Sequence, residues 1–101
     1  MSNTILTKEQ IAQRLQSVFV GYNVSRATLF GSYSKDEATA SSDIDLLVDS
    51  KLKGMAFVGL IEAIREALDD KPVDVLDVTH VVKGSKVDKE IESTGMLIYA
   101  K

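Results

Sequence analysis

Leu29-Phe30-Gly31-Ser32, ten polar-rich residues, then Asp43-Ile44-Asp45-Leu46-Leu47-Val48 is the stretch that decides how this chain folds. A Gly-Ser turn follows one apolar run, and two carboxylates open the next. Residues i and i+2 of a strand point to the same face, so Asp43 and Asp45 are expected to project side by side. Carboxylates that close repel each other unless a cation lies between them. A hard divalent ion, bound through carboxylates and substrate phosphates, suits that position. The Gly-Ser turn beside it can offer backbone N–H groups and a hydroxyl to a phosphate.

Outward from this stretch the remaining elements are readable. Thr7-Lys8-Glu9-Gln10 is a capping box, and Ile11, Leu15, Val18 and Phe19 recur at helical spacing up to Gly21, a plausible stop. The run 24–30 reads as a strand, 31–42 as a loop with room for a helical turn, and 43–49 as a second strand. Phe57, Leu60, Ile61, Ile64 and Leu68 form one apolar stripe of a helix over 54–70, ended by Asp69-Asp70-Lys71-Pro72. A third strand covers 72–78, a short helix 87–93 and a last strand 96–99. The order α, β, loop, β, α, β, α, β predicts an α+β domain over residues 1–101, with a mixed β-sheet and helices mainly on one face.

Composition narrows the function classes. The chain has 101 residues, 45% hydrophobic, with a formal charge of −3 and a pI near 5.0. That balance argues against wrapping nucleic acid by bulk charge. With no cysteine, disulfides, thiolate zinc sites and cysteine nucleophiles are excluded, and the single histidine, His80, excludes a two-His zinc helix. No stretch is apolar enough to span a bilayer, and Met1-Ser2-Asn3-Thr4 shows no signal-peptide pattern. The expectation is a cytoplasmic protein without a membrane partner.

The constellation Gly31-Ser32-X10-Asp43-X-Asp45, with its apolar tail 46–48, resembles the minimal nucleotidyltransferase (MNT) family of the DNA polymerase beta-like superfamily. The likeness spans nearly the whole chain, including Asp74 on the third strand and the closing Gly95-Met96-Leu97-Ile98-Tyr99. It implies the nucleotidyltransferase fold and a two-metal transfer of NMP, with Mg²⁺ as the ion and ATP as the substrate. By that resemblance Asp43 and Asp45 bind the metal on the triphosphate. With Asp74 they share a second ion that activates the acceptor hydroxyl. Gly31 and Ser32 hold phosphates, and Lys35 is a further phosphate contact. Where the family has a small residue, a basic residue and Gly, this chain has Ser34-Lys35-Asp36.

Each residue also has a plainer reading. Ser32 can cap a short helix, Asp77 can replace Asp74 as third acid from the opposite strand face, and Lys35 can be a surface lysine. Tyr33 can stack on a base but is read as shielding the loop, His80 as a surface residue, and Lys83-Gly84-Ser85-Lys86 as a helix entry rather than a phosphate loop. Small relatives of this kind resemble the antitoxin half of HEPN/MNT toxin–antitoxin pairs, which adenylylate a tyrosine of the toxin. The acceptor is then a HEPN-type toxin. A third reading has RNA or a small-molecule antibiotic as acceptor, with a homo-oligomer or a partner chain supplying its pocket. The competing class is an inactive docking module that neutralises its partner by binding alone.

Overall fold

The computed structural model describes residues 5–101; the segment 1–4, read above for targeting signals, lies outside the described residues. Helix α1 covers Lys8–Gly21, strand β1 Arg26–Phe30, β2 Ile44–Asp49, helix α2 Met55–Ala67, β3 Val73–Asp77, helix α3 Lys86–Thr94 and β4 Met96–Ala100. A single 3₁₀ turn at Val78–His80 follows β3. The four strands form one mixed sheet in the order β3-β2-β1-β4. β1 is antiparallel to both β2 and β4, and β2 and β3 run parallel with α2 as their crossover. The α+β architecture with a mixed sheet expected from the sequence is therefore present.

Local chemistry explains the elements. Thr7 closes the capping box at α1: its hydroxyl accepts from the Gln10 amide and the Gln10 side chain accepts from the Thr7 amide. Ser85 caps α3 by accepting from the Asp88 amide, so the 83–86 stretch is the helix entry that its composition suggested. The long helix ends at Ala67, three residues before the expected boundary. Asp69 and Asp70 both take positive φ, 56° and 58°, which ends the helical hydrogen bonding. Helix α1 ends at Gly21 as expected, and the left-handed residue that turns the chain away is Asn23 at φ 58°.

Strand parity then sorts the side chains. Ala27, Leu29, Ile44, Leu46 and Val48 face one side, where Ile11, Leu15 and Phe19 of α1, Leu60 and Ile64 of α2 and its C-cap Leu68 cover them. Each fully buried leucine, isoleucine, valine or phenylalanine among them contributes about 1.5–3 kcal/mol. The Phe19 ring meets the Tyr99 ring of β4 at 5.3 Å, tying α1 to the sheet edge. The odd residues of β2, Asp45, Leu47 and Asp49, stay half-exposed on the other face. α3 buries no residue fully, and it approaches that second face over the end of β1. Two helices thus build the core and the third borders the acids.

Candidate active site

The β1–β2 pairing sets the site. Its register places Phe30 opposite Asp45, so the chain leaves β1 at Gly31 directly beside the first carboxylate of β2. Gly31 has φ +79°, and a Cβ there would lie 2.6 Å from Asp45 Oδ2. Only glycine gives both that backbone and that proximity. Past Gly31 the chain coils into a tight turn. The amides of Ser34 and Lys35 both donate to the Gly31 carbonyl, at 3.2 and 3.3 Å, and the Glu37 amide donates to the Ser32 carbonyl at 2.9 Å. The amides of Ser32 and Tyr33 have no partner among the described residues. They form a small donor nest next to the acids.

The parallel β2–β3 register pairs Asp45 with Asp74. Asp43 precedes β2 by one residue and shares the parity of Asp45, and both Asp43 and Asp74 are exposed. Asp45 carries the consequence. Burial, then the like charges of Asp74, Glu90 and Asp43, push its carboxyl up to about 6. Burial and the Asp43 charge also raise the Tyr33 hydroxyl. Tyr33 itself belongs to the core beneath the loop, as its shielding reading required. Asp77 points to the opposite face: it is buried, and its carboxylate accepts from the Thr79 amide at 3.0 Å. The third acid near Asp45 is therefore Asp74.

α3 adds two side chains that the motif did not reveal. Glu90 is one of the charges acting on Asp45. The Thr94 hydroxyl accepts from the Gly31 amide at 2.9 Å and donates to the Glu90 carbonyl at 2.8 Å. The Ser34 hydroxyl lies 2.8 Å from the Gly31 carbonyl and 2.7 Å from the Thr94 carbonyl. The Gly-Ser turn is thereby bolted to the end of α3. The only sequence signal was the Glu90–Thr94 spacing, which puts both on one helix face.

Asp36, the departure from the family pattern, sits in the left-handed region at φ 60°, where glycine is at ease. Its carboxylate turns away to the Lys8 ammonium at 3.2 Å on α1, so its charge is matched there. Asp36→Gly should leave nucleotidyl transfer within about twofold, because a relieved left-handed residue offsets an exposed ion pair of about 0–1 kcal/mol. A tenfold change in rate would show that the Asp36 charge acts on substrate. Lys35 is exposed at the turn, 3.6 Å from Glu37.

The profile of the family described as polymerase beta, nucleotidyltransferase matches residues 9–101. The chain belongs to this nucleotidyltransferase family. A candidate protein adenylyltransferase of Methanocaldococcus jannaschii is 34% identical over 70 residues, covering 66% of this chain and 73% of that protein. Among solved structures, a toxin–antitoxin complex with AMP-PNP superposes with a TM-score of 0.73 at 22% identity, covering 89% of this chain and 73% of that one. The complex of tri-AMPylated Shewanella oneidensis HEPN toxin with MNT antitoxin gives 0.68 at 20% identity, covering 94% and 74%. At these identities the structural likeness establishes the nucleotidyltransferase fold. Among the described residues no helix is long and apolar enough to cross a membrane.

Among the described residues no three histidine, cysteine or carboxylate side chains are gathered into a ready-made ligand cluster. The donor set still suits a hard cation. It is all carboxylate, and Asp45 bears the repulsion of three neighbouring acids that a divalent ion would relieve. Mg²⁺ is commonly held by one or two carboxylates together with substrate phosphates, so a three-acid cage is not required.

Proposed function

We propose that this nucleotidyltransferase moves AMP from ATP to a hydroxyl of a partner protein, with Mg²⁺ bound at Asp43, Asp45 and Asp74. The observation that carries the reading is the placement of Asp45, in register with Asp74 and against the Cα of Gly31. Bound between these acids and the triphosphate, two Mg²⁺ ions would stabilise the attacking and leaving oxygens of an in-line displacement. The chain's own residues do the rest. The free amides of Ser32 and Tyr33 and the Ser32 hydroxyl hold the outer phosphates. Thr94 and Ser34 keep the turn in place through their bonds to Gly31. Lys35 exchanges its exposed Glu37 contact for a phosphate oxygen at little cost. The acids would orient the acceptor hydroxyl, whose oxygen attacks the α-phosphorus while the bond from that phosphorus to the bridging oxygen breaks; pyrophosphate departs and the hydroxyl proton is released to solvent.

The partner we favour is a HEPN-type toxin, which the adenylyltransferase relative and the toxin–antitoxin neighbours support. Calorimetry should show ATP binding with Mg²⁺ and none with EDTA. Labelled AMP should pass from ATP to the co-purified partner. Asp43→Asn and Asp74→Asn should each cut that transfer at least a hundredfold, as expected when several kcal/mol of charge stabilisation are lost. Full neutralisation of the partner by both variants would instead favour the docking module.

A further inference from the structure

β4 is one edge of the sheet, and its outer side has no neighbouring strand among the described residues. Helix α1 lies over that edge on the core face, with the Phe19 ring against Tyr99. An open groove runs between them. Ala12, Gln13 and Gln16 of α1 form one wall, and Ile98, Tyr99 and Ala100 of β4 form the other. A second hollow continues it along α1, past Gln13, Gln16 and Ser17 to Val20. Gln13, Gln16, Ser17 and Val20 are all exposed, Val20 at 61%. An unpaired strand beside an uncovered helix flank is a template for another chain.

Charge decides which chain. Charged residues make up 27% of the sequence, yet residues 15–25 and 93–100 hold none. β4 therefore lacks the charges and the proline that commonly guard a sheet edge. Its one irregularity is a bulge: the register with β1 skips Ile98, which lines the groove. In a two-fold interface the same patch meets itself, so like charges at its centre repel, whereas amides both donate and accept. Gln13, Gln16 and Ser17 are of that self-pairing kind. The charges stand instead at the two ends of the surface, with opposite signs. Glu9 lies where β1 finishes, beside Lys8 and its Asp36 partner. Lys101 lies where β1 begins, bonded to the Ser25 carbonyl and the Asn23 side chain. Neither Glu9 nor Lys101 is ion-paired among the described residues. An antiparallel arrangement lays the Glu9 end of one copy over the Lys101 end of the other.

We propose that this chain forms a two-fold dimer through this face, with α1 against α1 and β4 against β4 around the axis. The two sheets then meet edge to edge, and the Gln13 and Gln16 amides of the two copies pair near the axis. Asp45 and Asp74 belong to the other sheet face, so both candidate active sites stay open to an acceptor. The dimer does not depend on the transfer reaction proposed above.

Sedimentation equilibrium of the chain alone, without nucleotide, tests this. The parent should move from 11.0 kDa toward twice that mass as its concentration rises from micromolar to millimolar. Gln13→Glu/Gln16→Glu gathers like charges at the axis and should weaken the dimer at least tenfold; Gln13→Lys/Gln16→Lys should do the same. Both positions are exposed and both replacements suit a helix, so the variants keep the circular dichroism of the parent. Mixing the two variants should restore a dimer at least as tight as the parent's, because opposite charges then meet across the axis. That recovery is particular to a surface that faces its own copy. A parent that stays monomeric throughout, a dimer indifferent to both charged pairs, or no recovery on mixing would overturn the proposal. If the parent is monomeric and the glutamate variant sheds the co-purified partner, the face belongs to that partner instead.

Discussion

Asp45→Asn is expected to abolish nucleotidyl transfer and, at the same time, to raise the melting temperature. The loss follows from its place: Asp45 is the acid that touches the Gly31 turn on one side and pairs with Asp74 on the other. If the proposed two-metal site is right, removing its charge forfeits several kcal/mol of transition-state stabilisation, or about a thousandfold in rate. The gain follows from the repulsion it suffers. A carboxyl held at about 6 rather than 3.8 burdens the fold by at most about 3 kcal/mol at neutral pH. Asp45 is only half-buried, so solvent screening leaves about 1 kcal/mol, or about 4 °C for a chain of this size. The sign fixes the pH window. The folded state binds this proton more tightly than the unfolded chain, so the penalty is complete above pH 6 and disappears below about pH 4. The melting-temperature advantage of Asp45→Asn over the parent should therefore be largest near pH 7.5 and vanish near pH 4. It should also shrink when Mg²⁺ and ATP are added, because the cation removes the repulsion in the parent alone. An advantage that persists at pH 4 would mean that packing, not charge, is responsible.

What the sequence disclosed about this site, and what it did not, divides along a physical line. The period of two in a strand was enough to place Asp43 and Asp45 on one face, and the apolar residues alternating with them, Ile44, Leu46 and Val48, dictated which face meets the core. The same parity separated Asp74 from Asp77, although only the β2–β3 register decides which of them stands beside Asp45. Capping at Thr7 and Ser85 was local chemistry and therefore legible. The early end of α2 was not. Two consecutive aspartates in the left-handed region are tolerated rather than demanded by their side chains, so the apolar stripe ran on past the true terminus. Glu90 and Thr94 were illegible for a different reason. The charge of Glu90 on Asp45 and the Thr94 bond to Gly31 cross about half the chain, and no local pattern encodes where a helix end will land. Asp36 joins both cases: its left-handed backbone follows from its place in the turn, but its Lys8 partner is a tertiary fact.

Gly31→Ala should be the most damaging substitution that leaves every charged group in place. Two costs combine. An alanine at φ +79° pays about 1–2 kcal/mol for the left-handed backbone. Its Cβ would also lie 2.6 Å from Asp45 Oδ2, so the carboxylate or the turn must move. The turn is not free to yield, because the Gly31 amide is held by Thr94 and its carbonyl by Ser34. The carboxylate therefore shifts, and a displacement near 1 Å at a reacting centre costs about a hundredfold in rate. Stability should fall by about 1–3 kcal/mol. The two costs separate in a double-mutant cycle. In an Asp45→Ala background the close contact is gone, and Gly31→Ala should then cost only the backbone part, leaving a coupling of about 1 kcal/mol. Denaturant unfolding of the four proteins measures it. Equal costs in the two backgrounds would show that the Gly31 backbone alone matters and that its approach to Asp45 does not constrain the acid. A clear coupling would mean that this glycine sets where the carboxylate stands, as the proposed pairing of a phosphate-binding turn with a metal-binding acid requires.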